Sequence, residues 1–270
     1  MTRRFATAAA LTFIAVTVPV AAQTTPIQIN NGTYNQDFNT MGNGANGSTG
    51  AYPSGWNAYL VGTTNFVPSP TTHDGGSNAG AVYNFGTLSD SDRALGSIAS
   101  NTFTAAGFGA VFVNNTGRVL TEADIQIGFR SEQWRTSANP GIVENWAFQF
   151  RLGDATLDIN QSSSDGWTLF PAFEIAELRN DINANGALNG NATGNFATFA
   201  PSFLSAFVWL PGDRLAIRWL DTNDAGTDVG MSIDDFSFFV LDPVPEPAAL
   251  AMCGFALASL AFLRRRKLAV

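Results

Sequence analysis

The chain has 270 residues, 45% hydrophobic and only 13% charged, with 26 glycines, one histidine and one cysteine. A lone His73 and a lone Cys253 exclude Cys–His nucleophiles, paired-histidine metal motifs, zinc–thiolate sites and any intrachain disulfide. The net charge of −8 understates the acidity of the middle of the chain, because residues 23–240 carry eight arginines and no lysine against 20 Asp and Glu, a balance of −12. A body so acidic is repelled by nucleic acid and anionic lipid, so no nucleic-acid partner is expected.

Residues 1–22 have the form of a secretory signal peptide. Arg3 and Arg4 supply the positive start, Phe5 to Val18 the apolar stretch, and Val20-Ala21-Ala22 the small residues before a cut at Gln23. Export of the rest follows as an expectation.

From residue 23 to 240 the pattern is that of strands. Ile125, Ile127 and Phe129 alternate, as do Trp146, Phe148, Phe150 and Leu152, and then Leu215, Ile217 and Trp219. Val111 and Val113 follow the glycine-rich Gly107-Phe108-Gly109. Asn31-Gly32, Asp74-Gly75-Gly76, Asn115-Thr116-Gly117, Asp165-Gly166 and Pro211-Gly212-Asp213 mark turns between the runs. A short helix is predicted only over Ala172 to Arg179. Many short strands with frequent turns predict an all-β protein, a single antiparallel jelly-roll-type β-sandwich.

The last strand breaks its own alternation. Met231 and Ile233 share one parity, whereas Phe236, Phe238 and Val240 share the other. A bulge at Asp234-Asp235 reconciles them by inserting one residue. A strand buried on both faces is the alternative, and in either case one of the two aspartates points inwards and needs a partner.

Little in this body suggests catalysis. It has no GxSxG elbow and no Gly-rich loop ending in GK[ST]. Glu122-Ala123-Asp124 begins a glycosidase-like ExDxxE pattern, but Ile127 replaces its final Glu. For metal, Asp181-Ile182-Asn183-Ala184-Asn185-Gly186 opens like a calcium loop but has Ala192 where the closing acid belongs. Asp221, Asn223, Asp224 and Asp228, with Asp234 or Asp235, are the better candidates for a structural Ca²⁺. Glu132-Gln133-Trp134-Arg135 supports two readings. Continuing the parity of Ile125 directs Arg135 to the core, where Asp92, Asp234 and Asp235 could form a buried ion-pair network with it. The same parity directs Trp134 and Glu132 to the opposite face, where they could stack on and bond a sugar.

The end of the chain adds a linker, 241–247, and a tail, 248–270. Pro245-Glu246-Pro247 precedes 16 uncharged residues, Ala248 to Leu263, which precede Arg264, Arg265, Arg266 and Lys267. As a helix, 16 residues extend about 24 Å, short of a ~30 Å bilayer core unless the flanks contribute. A basic cluster directly after an apolar run stays cytoplasmic, so the body lies across the membrane from it. The order of these three parts resembles the PEP-CTERM sorting signal of exported proteins in Gram-negative bacteria that make exopolysaccharide. The resemblance implies that Pro245, Glu246 and Pro247 are recognised by an exosortase-type membrane protease. It also implies tethering at the inner membrane through the transmembrane helix before processing, then release to the cell surface or extracellular matrix.

A second resemblance covers most of the body. It is carried in order by Pro53-Ser54-Gly55-Trp56, Tyr83-Asn84-Phe85-Gly86, Ser91-Asp92-Arg93-Ala94-Leu95-Gly96, Gly109 to Gly117, Glu132 to Arg135, Ala187 to Asn191 and Ile233 to Phe236. This set resembles a recurring ectodomain of PEP-CTERM and other secreted bacterial proteins, which implies a sandwich and export but no activity. The expected role is structural or adhesive and non-catalytic. A carbohydrate-binding module recognising exopolysaccharide is the first alternative, and a glycosidase-like enzyme the second.

Overall fold

The computed structural model describes residues 24–138, 142–162, 164–180, 185–204 and 207–242. The signal peptide, the sorting motif and the apolar tail with its basic cluster lie outside these residues. In chain order the strands are β1 (Ile27–Ile29), β2 (Gly32–Gln36), β3 (Trp56–Leu60), β4 (Thr71–His73), β5 (Ala81–Phe85), β6 (Ala94–Ile98), β7 (Ala105–Asn114) and β8 (Leu120–Thr121). Then follow β9 (Ile125–Arg135), β10 (Asn145–Gly153), β11 (Thr168–Leu169), β12 (Ile175–Ala176), β13 (Phe196–Phe203), β14 (Val208–Trp209), β15 (Arg214–Thr222) and β16 (Gly230–Val240).

They form two sheets and a ribbon. The first sheet runs β1-β7-β15-β10-β11, with β3 also paired to β7 and β12 to β10. The second runs β13-β9-β16-β6-β5-β4, with β2 also paired to β16. β14 and β8 form the two-stranded ribbon. The all-β sandwich agrees with the expectation, but the sheets are not wholly antiparallel: β1 runs parallel to β7, and β4 parallel to β5.

The alternating residues meet between the sheets. Ile125, Ile127 and Phe129 of β9 face Trp146, Phe148 and Phe150 of β10 and Leu215, Ile217 and Trp219 of β15 across one core. Aromatic rings dominate it. Trp219 packs edge-on against Phe129 and Phe148, each at 5.0 Å, and Phe112 stacks on Phe238 at 4.7 Å. Burying each such side chain stabilises the fold by about 1.5–3 kcal/mol, which makes this seam the main source of stability.

The bulge in β16 is present. Asp234 pairs with Arg130 and Ser237 with Gly128, so β16 has one residue more than β9 over this stretch. Asp235 takes the left-handed conformation, φ 47°. Met231 and Ile233 before the bulge, and Phe236, Phe238 and Val240 after it, therefore all reach the same core. The helix expected over Ala172 to Arg179 is not formed. A single 3₁₀ turn, Pro171–Phe173, ends at an extended Glu174, and Ile175–Ala176 joins β10 as β12. Backbone pairing at the sheet edge overrides the local helical tendency.

Candidate functional site: a polar cleft on the outer face of the first sheet

Outward-facing positions of the first sheet are small at its centre. Gly107 and Gly109 alternate with the core residues Ala106, Phe108 and Ala110 on β7. The ring of Tyr59 on β3 lies across Gly107, where a Cβ would come within 2.2 Å of the ring. Beside it, opposite Gly109, Arg218 of β15 projects from the same face and is fully buried. Its guanidinium lies 3.5 Å from the centre of the Trp167 ring and 5.6 Å from that of Tyr59. Arg218 Nε and Nη2 donate to Gln149 Oε1 at 2.9 and 2.7 Å, and Nη1 donates to the carbonyls of Ile159 and Gln161 at 2.9 and 2.7 Å. Burial lowers its pKa to about 10, so it stays charged at neutral pH.

Arg218 thus holds the loop between β10 and β11 onto the sheet. Leu157 and Ile159 of that loop pack on Tyr59, Val111 and Ala216. Asn160 Nδ2 donates to the Thr64 carbonyl at 2.7 Å and ties the loop to the turn after β3. Between loop and turn opens a cleft of about 600 Å³. Tyr59, Val61 and Gly62 form one part of its wall, and Thr63, Thr64, Asn65, Asn160, Gln161 and Ser162 supply hydroxyls and amides. Among the described residues no lining residue is charged. Such a surface offers hydroxyl and amide donors and acceptors over the buried Tyr59, the chemistry that suits a neutral polyhydroxylated ligand.

The residues singled out in the sequence lie elsewhere, around the outer face of the second sheet. Trp134 is fully buried, so the expectation that it offers an exposed stacking face is corrected. Its ring stacks on Phe85 at 6.0 Å, and Gly190 covers it so closely that a Cβ there would come within 2.4 Å of the ring. Glu132 is equally buried and accepts from Trp134 Nε1 at 2.9 Å and from Arg130. Burial raises its pKa, against the opposing charge of Arg130.

The ion-pair network expected of Arg135 with Asp92, Asp234 and Asp235 is also corrected. Gly230 pairs with Arg135 and Met231 with Gln133, which leaves Trp134 as an extra residue in β9. That irregularity reverses the parity, and Arg135 turns to the outer side. There it donates to the carbonyls of Gly75, Gly76 and Asn185 and to Asn185 Oδ1. Arg130, not Arg135, faces the acids, with Glu132 beside it and Asp235 at 3.8 Å. Asp92 is half-buried, and Asp234 is buried with its Oδ1 unpartnered among the described residues. Burial, then the neighbouring Glu132, pushes the Asp234 carboxyl up to about 9.

The proposed calcium ligands divide between inside and outside. Asp221 is buried and accepts from Ser97 Oγ at 2.6 Å, and Asp228 is buried and accepts from the Asp224 N–H at 3.2 Å. Asp224 itself is exposed, and Asn223 is half-exposed near Asn101. Among the described residues no three His, Cys, Asp or Glu side chains are grouped to hold a metal ion. Residues 181–184 of the other candidate loop lie outside the described residues.

The buried acids set a pH dependence. Burial pushes Asp221 and Glu144 to about 8 and Asp228 to about 6. With Asp234 near 9, the folded chain binds more protons than an unfolded chain, whose carboxyls titrate near about 4. Their contribution is complete below about pH 4 and is lost as pH rises through the folded values. The lowered carboxyls Asp74, Asp90 and Asp124 act in the opposite sense, but below that window. The melting temperature should therefore fall between pH 5 and pH 8.5, and Asp221→Asn, which mimics the protonated acid, should melt above wild type at pH 8.5. Thermal melts across this range check it. A flat profile, or a mutant that melts lower at pH 8.5, would overturn the assignment.

Sequence reasoning missed Tyr59, Gln149, Asn160, Gln161, Trp167 and Arg218. One signal was available: Arg218 interrupts the apolar run of β15 on the parity opposite Leu215, Ile217 and Trp219. A buried arginine between strand residues marks a second covered face.

Fold and cleft together define a β-sandwich with a polar groove on one outer sheet face. No protein-family model and no curated protein sequence matches the chain. Among solved structures, it is similar to the CBM22-1 xylan-binding domain of Xyn10C from Paenibacillus barcinonensis. That match has a TM-score of 0.37 and 10% identity, and covers 80% of this chain and 99% of that one. TmCBM61 in complex with β-1,4-galactotriose matches at a TM-score of 0.27 and 9% identity, over 60% of this chain and 86% of the other. These values assign neither ligand nor binding residues here.

Proposed function

We propose that the chain is an exported, non-catalytic β-sandwich that binds a neutral extracellular polysaccharide in the cleft between the turn after β3 and the loop before β11. The uncharged lining of hydroxyls and amides beside Tyr59 carries this reading. A charged substrate would meet no counter-charge there. Each side-chain hydrogen bond to a sugar contributes about 0.5–1.5 kcal/mol. Thr64 and Asn65 are exposed in the lining, and Thr64→Ala with Asn65→Ala should therefore weaken glycan binding about tenfold and leave the melt close to that of wild type. Glycan arrays followed by affinity electrophoresis on residues 23–240 check this. Unchanged affinity in the double variant would remove the cleft from the proposal.

The tail carries the second half of the reading. Pro245-Glu246-Pro247, the apolar span and the basic cluster support sorting by an exosortase-type protease from an inner-membrane tether. Replacing the three motif residues by alanine should leave an uncleaved, membrane-bound form in a host that has the protease. Equal maturation of variant and wild type would reduce the tail to a plain anchor.

A further inference from the structure

The ribbon of β8 and β14 has a dry side and a wet apolar side. Val208 pairs with Thr121 and Trp209 with Leu120. That antiparallel register sets Leu210 opposite Val119. Trp209 and Leu120 point inwards and are fully buried, whereas Val119, Val208 and Leu210 are 48%, 60% and 49% exposed. Three large aliphatic side chains thus lie together on the outer side of one short ribbon. Leu88, Ile142, Val143, Leu169, Leu178 and Phe203 are also exposed among the described residues, but single exposed apolar residues need no explanation, whereas three side by side on one ribbon face do.

The ribbon is locked to the point where the chain leaves the sandwich. Arg118, next to Val119, donates to Asp124 Oδ1 at 2.6 Å and to the Leu241 carbonyl. The Leu241 N–H donates to the Asp124 carbonyl at 2.8 Å. Leu241 adds a partly exposed aliphatic side chain at the same end, at 36%. Asp242 is the last described residue, and six steps of chain separate it from Ala248, where the apolar run begins. At about 3.3–3.6 Å per residue that segment reaches at most ~20 Å.

We infer that the β8–β14 ribbon rests on the membrane that holds the tail, with Val119, Val208 and Leu210 entering the boundary between headgroups and acyl chains. The inference depends on the tail reading given under the proposed function. A tether this short keeps the ribbon end of the sandwich near the bilayer, and the exposed aliphatic side chains give that end a reason to stay. The contact is apolar at its centre and acidic at its rim: Arg118 and Asp124 neutralise each other, while Asp242, the exposed Glu122 next to Thr121 and the half-exposed Asp213 in the turn after Leu210 add carboxylates around it. Docking would hold Pro245-Glu246-Pro247 at the membrane surface, where a membrane-embedded protease can reach it, until cleavage frees the sandwich.

The only cysteine makes the test direct. The chain from residue 23 to 270 is reconstituted in phosphatidylcholine vesicles, whose neutral surface does not repel the acidic body. An environment-sensitive fluorophore on native Cys253 reports whether the tail is in lipid. In a Cys253→Ser background, the same fluorophore is placed by Val208→Cys and Leu210→Cys, with Leu88→Cys and Leu169→Cys as controls at positions 62% and 60% exposed. All four positions are on the surface, so the fold tolerates the changes. The expected result is a blue shift and quenching by lipid-borne quenchers at 208 and 210, with neither at 88 and 169. Quenching at Cys253 with 208 and 210 behaving like the controls would overturn the docking while keeping the tail. An unquenched Cys253 would sink the tail reading and the docking with it. A shift at 208 and 210 that appears without lipid as protein concentration rises would assign the ribbon to a second copy of the chain and also overturn the inference.

Discussion

Trp134→Ala should lower the free energy of unfolding by about 3–5 kcal/mol, the cost of removing a large aromatic side chain from a packed interior. Trp134 lies beneath Gly190 and against Phe85, and its Nε1 donates to Glu132 Oε2 at 2.9 Å and to Ser232 Oγ at 3.1 Å. Truncation opens a void and takes a donor from a buried carboxylate. Glu132 already resists ionisation through burial, and without the indole N–H it has Arg130 alone to oppose that. Domains are stable by about 5–15 kcal/mol, so the loss is a large share of the total. Trp134→Phe keeps a six-membered ring but loses the donor and part of the indole packed under Gly190, a smaller loss than full truncation. Urea melts of both variants rank them. A Trp134→Ala melt that coincides with wild type would place the residue on the surface after all, and with it the sugar-stacking role.

Arg218→Ala should cost at least about 3 kcal/mol, because Gln149 Oε1 and the carbonyls of Ile159 and Gln161 lose a donor at ~1–3 kcal/mol each. The loss is also local. Without the guanidinium between Trp167 and Tyr59, the loop from 154 to 162 loses its central anchor but keeps Leu157 and Ile159, the Asn160–Thr64 bond, and the bonds from Arg214 to the Leu157 carbonyl, from Arg151 to Gln161 and from the Thr24 N–H to Asp158. The amides around Ile159 and Gln161 should exchange hydrogen faster than in wild type while those of β7 and β15 do not, and glycan binding should fall with them. Arg218→Lys should not rescue either effect, since an ammonium cannot reproduce the planar fork or its stacking. Hydrogen exchange resolved by segment, alongside urea melts, checks both parts. Unchanged protection over 154–162 would separate Arg218 from the cleft.

The two predictions concern residues of opposite history. Trp134 was visible in the sequence, with its side of the strand inferred from alternation. Parity counting is sound only while pairing stays regular. It succeeded for Ile125, Ile127 and Phe129, and failed six residues on, at Arg135, because Trp134 is an extra residue opposite Gly230 and Met231. At Asp234-Asp235 the irregularity was legible, because core residues stand on both sides of it and expose the slip. After Arg135 no strand residues follow to reveal one.

Strand positions, the inner faces of β9, β10, β15 and β16, and the bulge in β16 were set by near-neighbour spacing, which the chain itself contains. The acidity of the body and the order of motif, apolar run and basic cluster are likewise properties of the linear sequence. What covers the outer faces was decided only by the tertiary structure. The loop before β11 closes on Arg218, and Gly190 closes on Trp134, through contacts between residues about 60 positions apart in each case. Nothing in the local pattern distinguishes an outward residue that meets water from one that meets a returning loop. The same holds for charge: Arg93, Arg135 and Arg218 are buried against amide and carbonyl oxygens. Backbone oxygens occur at every residue, so only the folded chain shows which of them an arginine reaches.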